Sequence, residues 1–388
     1  LIDRNNYHTF FPLLYQIAAS ELGPEDIVYP VRSIVRRFPS VKFIMGKVKG
    51  IDIKGRVVIG DDFTAGYDYL IIASGSVSSF FNVKGAAQNS FPLKTLDDAV
   101  YLRNHILSCF EHAVHEREKE KRKKLLTFCI IGGGPTGVEF AGALAELIRG
   151  PLAKDFPSID MSEVKIILIE AGGLLLPGVP RELSEYTLNR LRSMGVDVRL
   201  NSVVTEIGVD YLLTKDGKRI DTETAVWTAG VRGSNLAEDS GLKTIKNGRV
   251  PVLPTLQVIE DQRIYVIGDL AYLEQDGKAL PMIAPVAIQQ GLWAGKNIIR
   301  QIYGYNTLPF RYKDKGTMVT IGRNKAVAHL RGFSFTGFPA WVVWLSVHLF
   351  NLIGFRNRLI VLINWAWDYI FFERAIRLIH PGRMNDKL

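Results

Sequence analysis

The stretch FCIIGGGPTGVEFAGALAEL, residues 128–147, joins an apolar run to a glycine-rich turn and then to a helix-forming segment. Its glycines Gly132, Gly134 and Gly137 match the pattern GxGxxG directly after the apolar run. In this context the first glycine permits a tight turn, the second lets a pyrophosphate approach the backbone, and the third lets helix and strand pack closely. The stretch therefore predicts a strand–turn–helix unit that binds a dinucleotide.

The segment VKIILIE, residues 164–170, is predicted to be the next strand, and it ends in Glu170. A carboxylate at that point accepts hydrogen bonds from a ribose 2′-hydroxyl and repels a 2′-phosphate, which favours NAD over NADP. Glu170 follows Gly132 by 38 residues, against about 20 in the usual motif. We therefore interpret residues 149–163 as an insertion with its own turn.

The chain opens with LIDRNNYH, residues 1–8, which has the same form as the end of that predicted strand. If Asp3 ends the second strand of another dinucleotide unit, the glycine loop of that unit lies upstream of residue 1. We therefore expect the sequence to be a fragment that lacks its natural start. On the sequence alone, Asp3 is equally well explained as an ordinary acid at the end of a strand.

Three further apolar segments end in small residues. Residues 67–76 (YDYLIIASGS) and 223–231 (ETAVWTAGV) share one pattern, which indicates two similar units. Residues 261–271 (DQRIYVIGDLA) end a predicted strand at Gly268 and Asp269, where an acid beside a glycine can approach a ligand hydroxyl closely. A tight turn with a solvated aspartate is the alternative for this last segment.

Composition limits the class of protein more than its function. With 388 residues the chain is long enough for two or three domains with their own cores. Its net charge of +9 suits nucleic acid, an anionic membrane surface or anionic substrates, but the sequence contains no nucleic-acid-binding motif, so nucleic acid is the least favoured partner. Cys109 and Cys129 form no CxxC pair, so neither a redox-active cysteine pair nor a cysteine zinc site is predicted.

The C-terminal region is rich in aromatic and basic residues. Residues 338–355 and 359–372 are apolar and are separated by the basic segment RNR. The region holds the tryptophans and flanking arginines Trp341, Trp344, Trp365, Trp367, Arg356, Arg358, Arg374 and Arg377. Because this composition is typical of helices in the lipid headgroup region, we expect two amphipathic helices on a membrane surface. A transmembrane hairpin and a soluble dimer interface are the alternatives.

Together these segments resemble the type II NADH:quinone oxidoreductases, which are flavoproteins with two dinucleotide-binding domains. The resemblance rests on GGGPTGVEFAGALAE, VWTAGV, YVIGDLA, PVAIQQG and GFRNR, which occur in the family's order and cover essentially the whole chain. It implies an α/β fold with two Rossmann-like dinucleotide-binding domains, for FAD and NAD, plus a C-terminal amphipathic helical membrane-anchoring region. The implied boundaries are 1–97 and 234–310 for the FAD-binding domain, 98–233 for the NADH-binding domain and 311–388 for the membrane-associating region.

The resemblance also implies which residues bind the cofactors. Asp3 would lie at the adenosine ribose of FAD and Asp269 at its ribityl chain, whereas the glycine turn and Glu170 would hold NADH. The family's FAD glycine loop has no counterpart in the sequence, which agrees with a missing start and predicts weak flavin binding. The implied cofactor-binding residues are Asp3, Gly132, Gly134, Pro135, Thr136, Gly137, Glu170, Gly230, Gly268, Asp269 and Ala287.

The segment APVAIQQG, residues 284–291, resembles the family's AQxAxQxG motif beside the flavin ring and the quinone site. Pro285 stands where the motif usually has its first glutamine. The resemblance implies that Gln289, Gln290 and Gly291 bind the quinone. A polar helix start is the alternative for this segment.

Two residues are implied to be catalytic. Glu139 lies two residues past Gly137, and in relatives this glutamate faces the nicotinamide and the flavin. A carboxylate there could relay a proton to a quinone oxygen if burial raised its pKa; an acid stabilised by the helix dipole is the alternative. Lys315, in KGTMVTIG, resembles a family position close to the flavin and the quinone. No metal site is predicted.

The resemblance implies hydride transfer from NADH to FAD, followed by transfer of two electrons to a membrane quinone without proton pumping. The expected partners are a membrane quinone and a lipid bilayer surface, without nucleic acid, and a homodimer is left open. The expected location is peripheral, at the cytoplasmic face of a bacterial membrane or at an organellar inner-membrane face.

Other flavoproteins of this architecture remain as alternatives. Disulfide reductases and sulfide:quinone reductases work through cysteines, and the segment RNNYHTFFPLLYQ, residues 4–16, contains none. They are therefore disfavoured. A flavin-binding interaction protein with little turnover is the alternative from a different class.

Overall fold

A computed structural model of the chain describes residues 1–374 and 376–379, which belong to two compact units. Unit 1 comprises Leu1–His8, Pro30–Ser79 and Val231–Lys315. Unit 2 comprises Thr9–Tyr29, Phe80–Gly230 and the C-terminal residues from Gly316 onward. The predicted α/β fold is confirmed. The functional boundaries proposed from the sequence remain a prediction, and the last of those regions, 311–388, extends past the described residues.

Unit 2 is built around a parallel sheet of five strands. The strand Thr127–Ile131 lies at its centre, and all of its residues are buried because parallel strands are covered on both faces. If this strand is numbered 1 and the later strands of the sheet are numbered in chain order, four adjacent strands have the order 3-2-1-4. This is the order of a Rossmann unit, and the point where the strand order reverses lies beside the glycine turn. The order across the sheet is Phe91–Pro92, Thr224–Trp227, Thr127–Ile131, Lys165–Ile169 and Val196–Arg199.

The turn after Thr127–Ile131 leaves no space for side chains at two of its glycines. Gly132 has a φ of 113°, and a Cβ atom on it would lie 2.7 Å from the backbone of Ala229. A Cβ atom on Gly137 would lie 1.9 Å from the carbonyl oxygen of Gly132. The helix Pro135–Leu147 therefore approaches the strand as closely as the GxGxxG pattern predicts.

The segment interpreted as an insertion has its own structure. The helix Pro135–Leu147 continues into a π-helical turn, Ile148–Leu152, and a short helix, Ala153–Asp155. These turns account for the long separation between the glycine turn and Glu170. The next strand, Lys165–Ile169, ends directly before Glu170, at the carboxyl end of the sheet.

The other elements of unit 2 are two antiparallel sheets and several helices. The sheets contain Val204–Ile207, Tyr211–Thr214 and Arg219–Asp221 in one, and Thr317–Thr320, Ala326–Leu330 and Phe333–Gly337 in the other. The helices are Leu14–Ala18, Ala86–Asn89, Leu96–His115, Lys119–Leu125, Arg181–Ser193, Phe338–Asn351 and Phe355–Phe371. Short 3-10 turns lie at Phe11–Leu13 and Pro24–Asp26.

Unit 1 contains short strands and a long helix, Ala284–Ile302. Its parallel pairs are Ile2–Asp3 with Ile44–Met45, Leu70–Ile72 with Ile264–Val266, and Val250–Pro251 with Ala271–Tyr272. Its antiparallel strands are Val48–Asp52, Val57–Gly60 and Thr64–Gly66, Ser76–Ser78 with Val231–Gly233, and Glu274–Gln275 with Lys278–Ala279. Its shorter helical elements are Val31–Val35, Leu236–Asp239 and Gly268–Leu270. The strands Tyr7–Thr9 and Val28–Pro30 span points where the chain passes between the units.

The two C-terminal helices lie close to their predicted positions. Phe338–Asn351 ends earlier than predicted, and Phe355–Phe371 begins earlier. Gly354 lies between them with a φ of 90°, and a Cβ atom on it would lie 2.6 Å from the ring of Tyr29, so this bend favours glycine. Neither helix, nor any other within the described residues, combines the length and apolarity that a membrane crossing needs.

We expect the Gly137→Ala variant to be destabilised by about 2 kcal/mol, because its methyl group would overlap the carbonyl oxygen of Gly132. Alanine is otherwise favoured over glycine in a helix by about 1 kcal/mol, so a loss of stability would identify the overlap as its cause. Urea unfolding measures the change. Gly134→Ala is the matched control, since a Cβ atom there meets nothing within 4 Å. Equal stability of the two variants would contradict the close packing.

Candidate active site

The glycine turn and the start of the helix Pro135–Leu147 form an anion-binding corner in unit 2. Gly134 is the N-cap of this helix and carries no side chain that could cap its first turn. Thr136 is exposed at the helix start, and the space beside Gly134 is open. The backbone N–H groups of a helix start attract anions. The corner therefore fits a pyrophosphate between the residues predicted from the sequence, Gly132, Gly134, Pro135, Thr136 and Gly137.

Glu170 lies beside this corner and is held by backbone groups. One oxygen of its carboxylate accepts a hydrogen bond from the N–H of Gly133 at 2.6 Å, and the other accepts one from the N–H of Gly172 at 2.6 Å. Each carboxylate oxygen has a second lone pair that can accept a bond from a ribose hydroxyl. The arrangement fits NADH, whereas a 2′-phosphate would meet a fixed negative charge.

Gly230 lies across the reversal point from the glycine turn. It follows the strand Thr224–Trp227, which pairs with Thr127–Ile131. Thr228 Oγ1 joins the two strand ends by donating to the carbonyl oxygens of Ile131 and Gly132, at 2.9 and 3.1 Å. Gly230 is thus placed at the carboxyl end of the sheet, where ligands of such folds bind.

In unit 1, Gly268 and Asp269 follow the strand Ile264–Val266 at its carboxyl end. Gly268 has a φ of 69°, and a Cβ atom on it would lie 3.2 Å from that of Ala287. Ser76 Oγ donates a hydrogen bond to Asp269 Oδ2 at 2.5 Å, which orients the carboxylate. An oriented carboxylate beside a bare glycine, at the ends of parallel strands, fits the hydroxyls of a flavin ribityl chain.

The glutamines predicted to bind quinone lie on the helix Ala284–Ile302, and their side chains bind backbone groups. Gln290 is buried, and its Oε1 accepts a hydrogen bond from the N–H of Gly268 at 2.7 Å. Gln289 bonds the N–H and the carbonyl oxygen of Lys313, both at 3.0 Å. Both glutamines therefore position segments of unit 1, and a direct quinone contact by them or by Gly291 remains a prediction.

Asp3 and Lys315 are both exposed in unit 1. Asp3 ends the strand Ile2–Asp3, and its Oδ1 accepts a hydrogen bond from the N–H of Asn5 at 2.8 Å. Such a bond is typical of an aspartate that begins a turn, and it agrees with either explanation of Asp3 that the sequence leaves open. Lys315 is the last residue of unit 1, and its catalytic role remains a prediction.

Glu139 lies just past the first turn of the helix Pro135–Leu147 and contacts the C-terminal part of unit 2. Burial raises the pKa of Glu139 to about 8, and the Glu21 carboxylate acts in the same direction. The N–H of Thr320, 3.4 Å from Glu139 Oε1, lowers the pKa in part. The indole N–H of Trp344, which has no well-aligned partner among the described residues, also lowers it. Burial therefore outweighs the helix dipole, which would lower the pKa of an acid near a helix start.

A hydrogen-bonded group beside Glu139 was not predicted from the sequence. The hydroxyls of Tyr15 and Thr320 lie 3.0 Å apart. Gln16 Nε2 donates to the Tyr15 hydroxyl at 3.1 Å, and Trp365 Nε1 donates to Gln16 Oε1 at 3.0 Å. Since Tyr15 and Thr320 are 305 residues apart, no local pattern signals this group.

The two cysteines are buried in unit 2. Burial raises the pKa of the Cys109 thiol and of the Cys129 thiol to about 12. Because the thiolate is the reactive form, such thiols are inert near neutral pH. Neither cysteine therefore supports the chemistry of disulfide or sulfide:quinone reductases.

Known families and relatives match the chain over most of its length. Residues 1–291 match the family described as pyridine nucleotide-disulphide oxidoreductase, and residues 315–374 match the NDH2 C-terminal domain. The type II NADH:quinone oxidoreductases Ndh and NdhA of Mycobacterium tuberculosis are 36% and 39% identical to the chain, over 97% of it and over 83% and 82% of their own lengths. The type II NADH:quinone oxidoreductase of Haemophilus influenzae is 34% identical over 85% of the chain and 80% of its own length.

Solved structures share the fold. NDH2 from Plasmodium falciparum in complex with NADH gives a TM-score of 0.87 at 22% identity, over 96% of this chain and 93% of that one. The sulfide:quinone oxidoreductase from Aquifex aeolicus gives a TM-score of 0.72 at 17% identity, over 96% and 89%. Both structural likenesses show the fold alone, so they do not distinguish an NADH:quinone oxidoreductase from a sulfide:quinone oxidoreductase. The sequence relatives and the family models do distinguish these two classes of enzyme. They show that the chain belongs to the type II NADH:quinone oxidoreductase family.

Proposed function

We propose that this chain oxidises NADH and reduces a quinone. The observation that carries the proposal is the helix Pro135–Leu147, which has a dinucleotide-binding turn at its start and, about one turn further on, the half-buried Glu139 with its raised carboxyl pKa. One element thus combines a site for the reductant with a group that can supply a proton. Both are features that reduction of a quinone by NADH requires.

FAD and NADH are the cofactors of the family, and residues of both units fit them. In unit 1, Asp3, Gly268, Asp269 and Ala287 would hold FAD. In unit 2, the glycine turn, Glu170 and Gly230 would hold NADH. When bound, FAD supplies an acceptor for hydride and a donor of two electrons. The chain itself supplies binding, orientation and control of protons.

The proton demand of the reaction gives Glu139 its proposed role. A quinone takes up two electrons and two protons to form a quinol, whereas a hydride brings two electrons and one proton. The second proton comes from the medium. With a pKa of about 8, the Glu139 carboxyl is protonated at neutral pH and can donate this proton.

The quinone residues proposed for unit 1 are Gln289, Gln290, Gly291 and Lys315. Gln290 also holds the backbone of Gly268, the residue before the Asp269 carboxylate. A substitution at Gln290 would therefore disturb the proposed flavin contacts as well as the quinone. Gln289 is the better position for testing quinone contact alone, since its bonds are to Lys313.

We also propose that the two C-terminal helices place the protein on a lipid surface. They and the residue that follows them expose large apolar side chains, which is unusual for a surface in contact with water alone. Those at least half exposed are Phe338, Phe350, Phe355, Ile363, Ile370, Phe371 and Phe372. Such a surface suits the headgroup region of a bilayer, on the cytoplasmic face in a bacterium or on an inner-membrane face in an organelle. A homodimer interface is the alternative use of this surface.

The expectation that Trp344 and Arg374 touch lipid is wrong. The exposed fraction of Trp344 is 1% and that of Arg374 is 3%. Arg374 is buried because its guanidinium pairs with Glu21 and bonds backbone carbonyl oxygens within unit 2. Deleting the C-terminal region would therefore open unit 2, so point substitutions are the better test of membrane binding.

Glu170→Gln should narrow the preference for NADH over NADPH by roughly tenfold, the equivalent of about 1.4 kcal/mol of charge repulsion. The ratio of kcat/KM for the two nucleotides measures the effect. Glu182→Gln, an exposed acid of unit 2, is the matched control and should leave the ratio unchanged. Equal use of both nucleotides by the unsubstituted enzyme would contradict the assignment of Glu170.

Glu139→Gln should slow flavin reoxidation by quinone about a hundredfold and leave flavin reduction by NADH nearly unchanged. In the unsubstituted enzyme reoxidation should weaken as the pH rises through about 8, where Glu139 loses its proton, and the variant should lack this dependence. Stopped-flow absorbance follows both steps: NADH bleaches the flavin and quinone restores its colour. Glu111→Gln, exposed in unit 2, is the control. If Glu139→Gln changes the rate of neither step, Glu139 takes no part in the mechanism.

Replacing both Phe350 and Phe355 with serine should weaken co-flotation with liposomes by tenfold or more, since each exposed phenylalanine contributes about 1.5–3 kcal/mol when buried in an apolar environment. These side chains are 76% and 81% exposed, so the fold should be retained. Val209→Ser, at a position that is 79% exposed, is the control. If lipid binding is unchanged but sedimentation shows that a dimer has dissociated, the surface is a subunit interface instead.

A further inference from the structure

A small cavity in unit 2 adjoins Glu139 and is lined by several ionisable side chains. Its volume is about 50 Å³, which is room for one or two water molecules. Four carboxyl groups line it, those of Glu21, Glu139, Glu146 and Asp368. The cavity is therefore a place for water and protons.

The four carboxyl groups lie on three segments of unit 2. Glu139 and Glu146 lie seven residues apart on one helix face, about 10 Å along its axis. Glu21 follows the helix Leu14–Ala18, and Asp368 lies on the helix Phe355–Phe371. The exposed fraction of the side chain is 12% for Glu21 and 28% for both Glu146 and Asp368. Glu146 and Asp368 are thus more open to solvent than Glu21.

Cations are outnumbered at this cavity. The Arg374 Nη2 lies 2.9 Å from Glu21 Oε1 and 3.5 Å from Glu146 Oε2, and its Nε lies 4.0 Å from Asp368 Oδ1. Arg323 also lines the cavity, but its guanidinium donates to the backbone carbonyl oxygens of residues 368 and 369. Among the described residues, two guanidinium groups therefore lie beside the four carboxyl groups.

The pKa values of Glu21 and Glu139 are both raised. Burial raises the pKa of Glu21 to about 8, although Arg374 lowers it in part and Asp368 and Glu146 raise it further. Burial likewise raises the pKa of Glu139 to about 8. The pKa of Tyr15, which also lines the cavity, lies well above its usual value because of burial and both glutamates, so its hydroxyl stays neutral. Because both pKa values are raised, each carboxyl group can hold a proton near neutral pH and pass it on.

Resting on the proposed function, in which Glu139 gives a proton to the quinone, we propose that Glu21 reprotonates Glu139 through the water of this cavity. In each turnover Glu139 loses one proton to a quinone oxygen and regains one from Glu21. Glu21 in turn regains a proton from solvent by way of Glu146 or Asp368. Only protons follow this route. Glu21 is a positioning residue of the reaction, since it acts through Glu139 and does not touch the quinone.

In the FAD-loaded holoenzyme, Glu21→Gln should slow reoxidation by quinone roughly tenfold, less than a direct proton donor would, because water can partly replace it. Reduction by NADH should be unchanged, since hydride transfer takes up no proton from the medium. Glu21→Asp keeps a carboxyl group and should recover most of the rate. Glu25→Gln, exposed on the same segment, is the matched control and should behave as the unsubstituted enzyme.

Infrared titration of protonated carboxyl groups provides a readout that does not depend on turnover. The band of Glu139 is identified by its loss in Glu139→Gln. Its titration midpoint should fall in Glu21→Gln, because removal of a neighbouring negative charge favours ionisation of Glu139. If Glu21 served only to hold Arg374 in place, the Glu139 midpoint would stay where it is.

The outcomes separate the relay from the function on which it rests. If Glu139→Gln slows reoxidation but Glu21→Gln changes neither the rate nor the midpoint, the relay is wrong and the proposed function stands. If the unsubstituted holoenzyme fails to reduce quinone, both are wrong. Should Glu21→Gln fail to fold, the double variant Glu146→Gln with Asp368→Asn, which keeps the Glu21–Arg374 pair and removes both outer carboxyl groups, should slow reoxidation and raise its solvent deuterium isotope effect. Unchanged values there would overturn the relay.

Discussion

The contact between Gly137 and the carbonyl oxygen of Gly132 determines where the helix Pro135–Leu147 lies, and much of unit 2 depends on that position. A second bare position on the same helix, Gly142, faces the backbone of Gly322, where a Cβ atom would lie 2.8 Å from the amide nitrogen. The helix is therefore held closely on two sides by positions without side chains. The start of the helix therefore forms part of the anion-binding corner. Its later turns place two of the four carboxyl groups at the cavity described above, here called the acidic cavity.

The C-terminal region completes this cavity as well as presenting an apolar surface. Thr320 bonds Tyr15, Trp365 bonds Gln16, and Arg374 pairs with Glu21. The same two helices that expose phenylalanines on one side thus supply the wall of a proton-handling site on the other. The exposed apolar side chains and the wall beside Glu139 belong to unit 2, so the proposed membrane contact and the proposed chemistry lie within one compact unit.

Local geometry explains which features could be predicted from the sequence. The glycine turn and the position of Glu170 follow from steric limits that act within a few residues, and the α/β fold follows from them. Tyr15 and Glu21 could not be found in this way, because their partners Thr320 and Arg374 lie more than 300 residues away. The sequence places the segment Thr9–Tyr29 within the predicted FAD-binding part, whereas in the structure it belongs to unit 2. Its contacts there also join distant parts of the chain, which local patterns do not predict. Trp344 and Arg374 resembled lipid-facing residues because aromatic and basic composition does not distinguish a buried layer from an interfacial one.

These contacts join residues that are far apart in the sequence, and this separation constrains the order in which the structure assembles during synthesis. Arg374 bonds the carbonyl oxygen of Ala19, 355 residues earlier in the chain. At about 5–20 residues per second, synthesis separates the two by roughly 20 to 70 s. During that time the apolar side chains of Thr9–Tyr29, which are buried in the finished protein, have no C-terminal partner. The helix Leu14–Ala18 of this segment can pack against Leu96–His115 and Pro135–Leu147 well before then, whereas the acidic cavity is among the last parts of the protein to form.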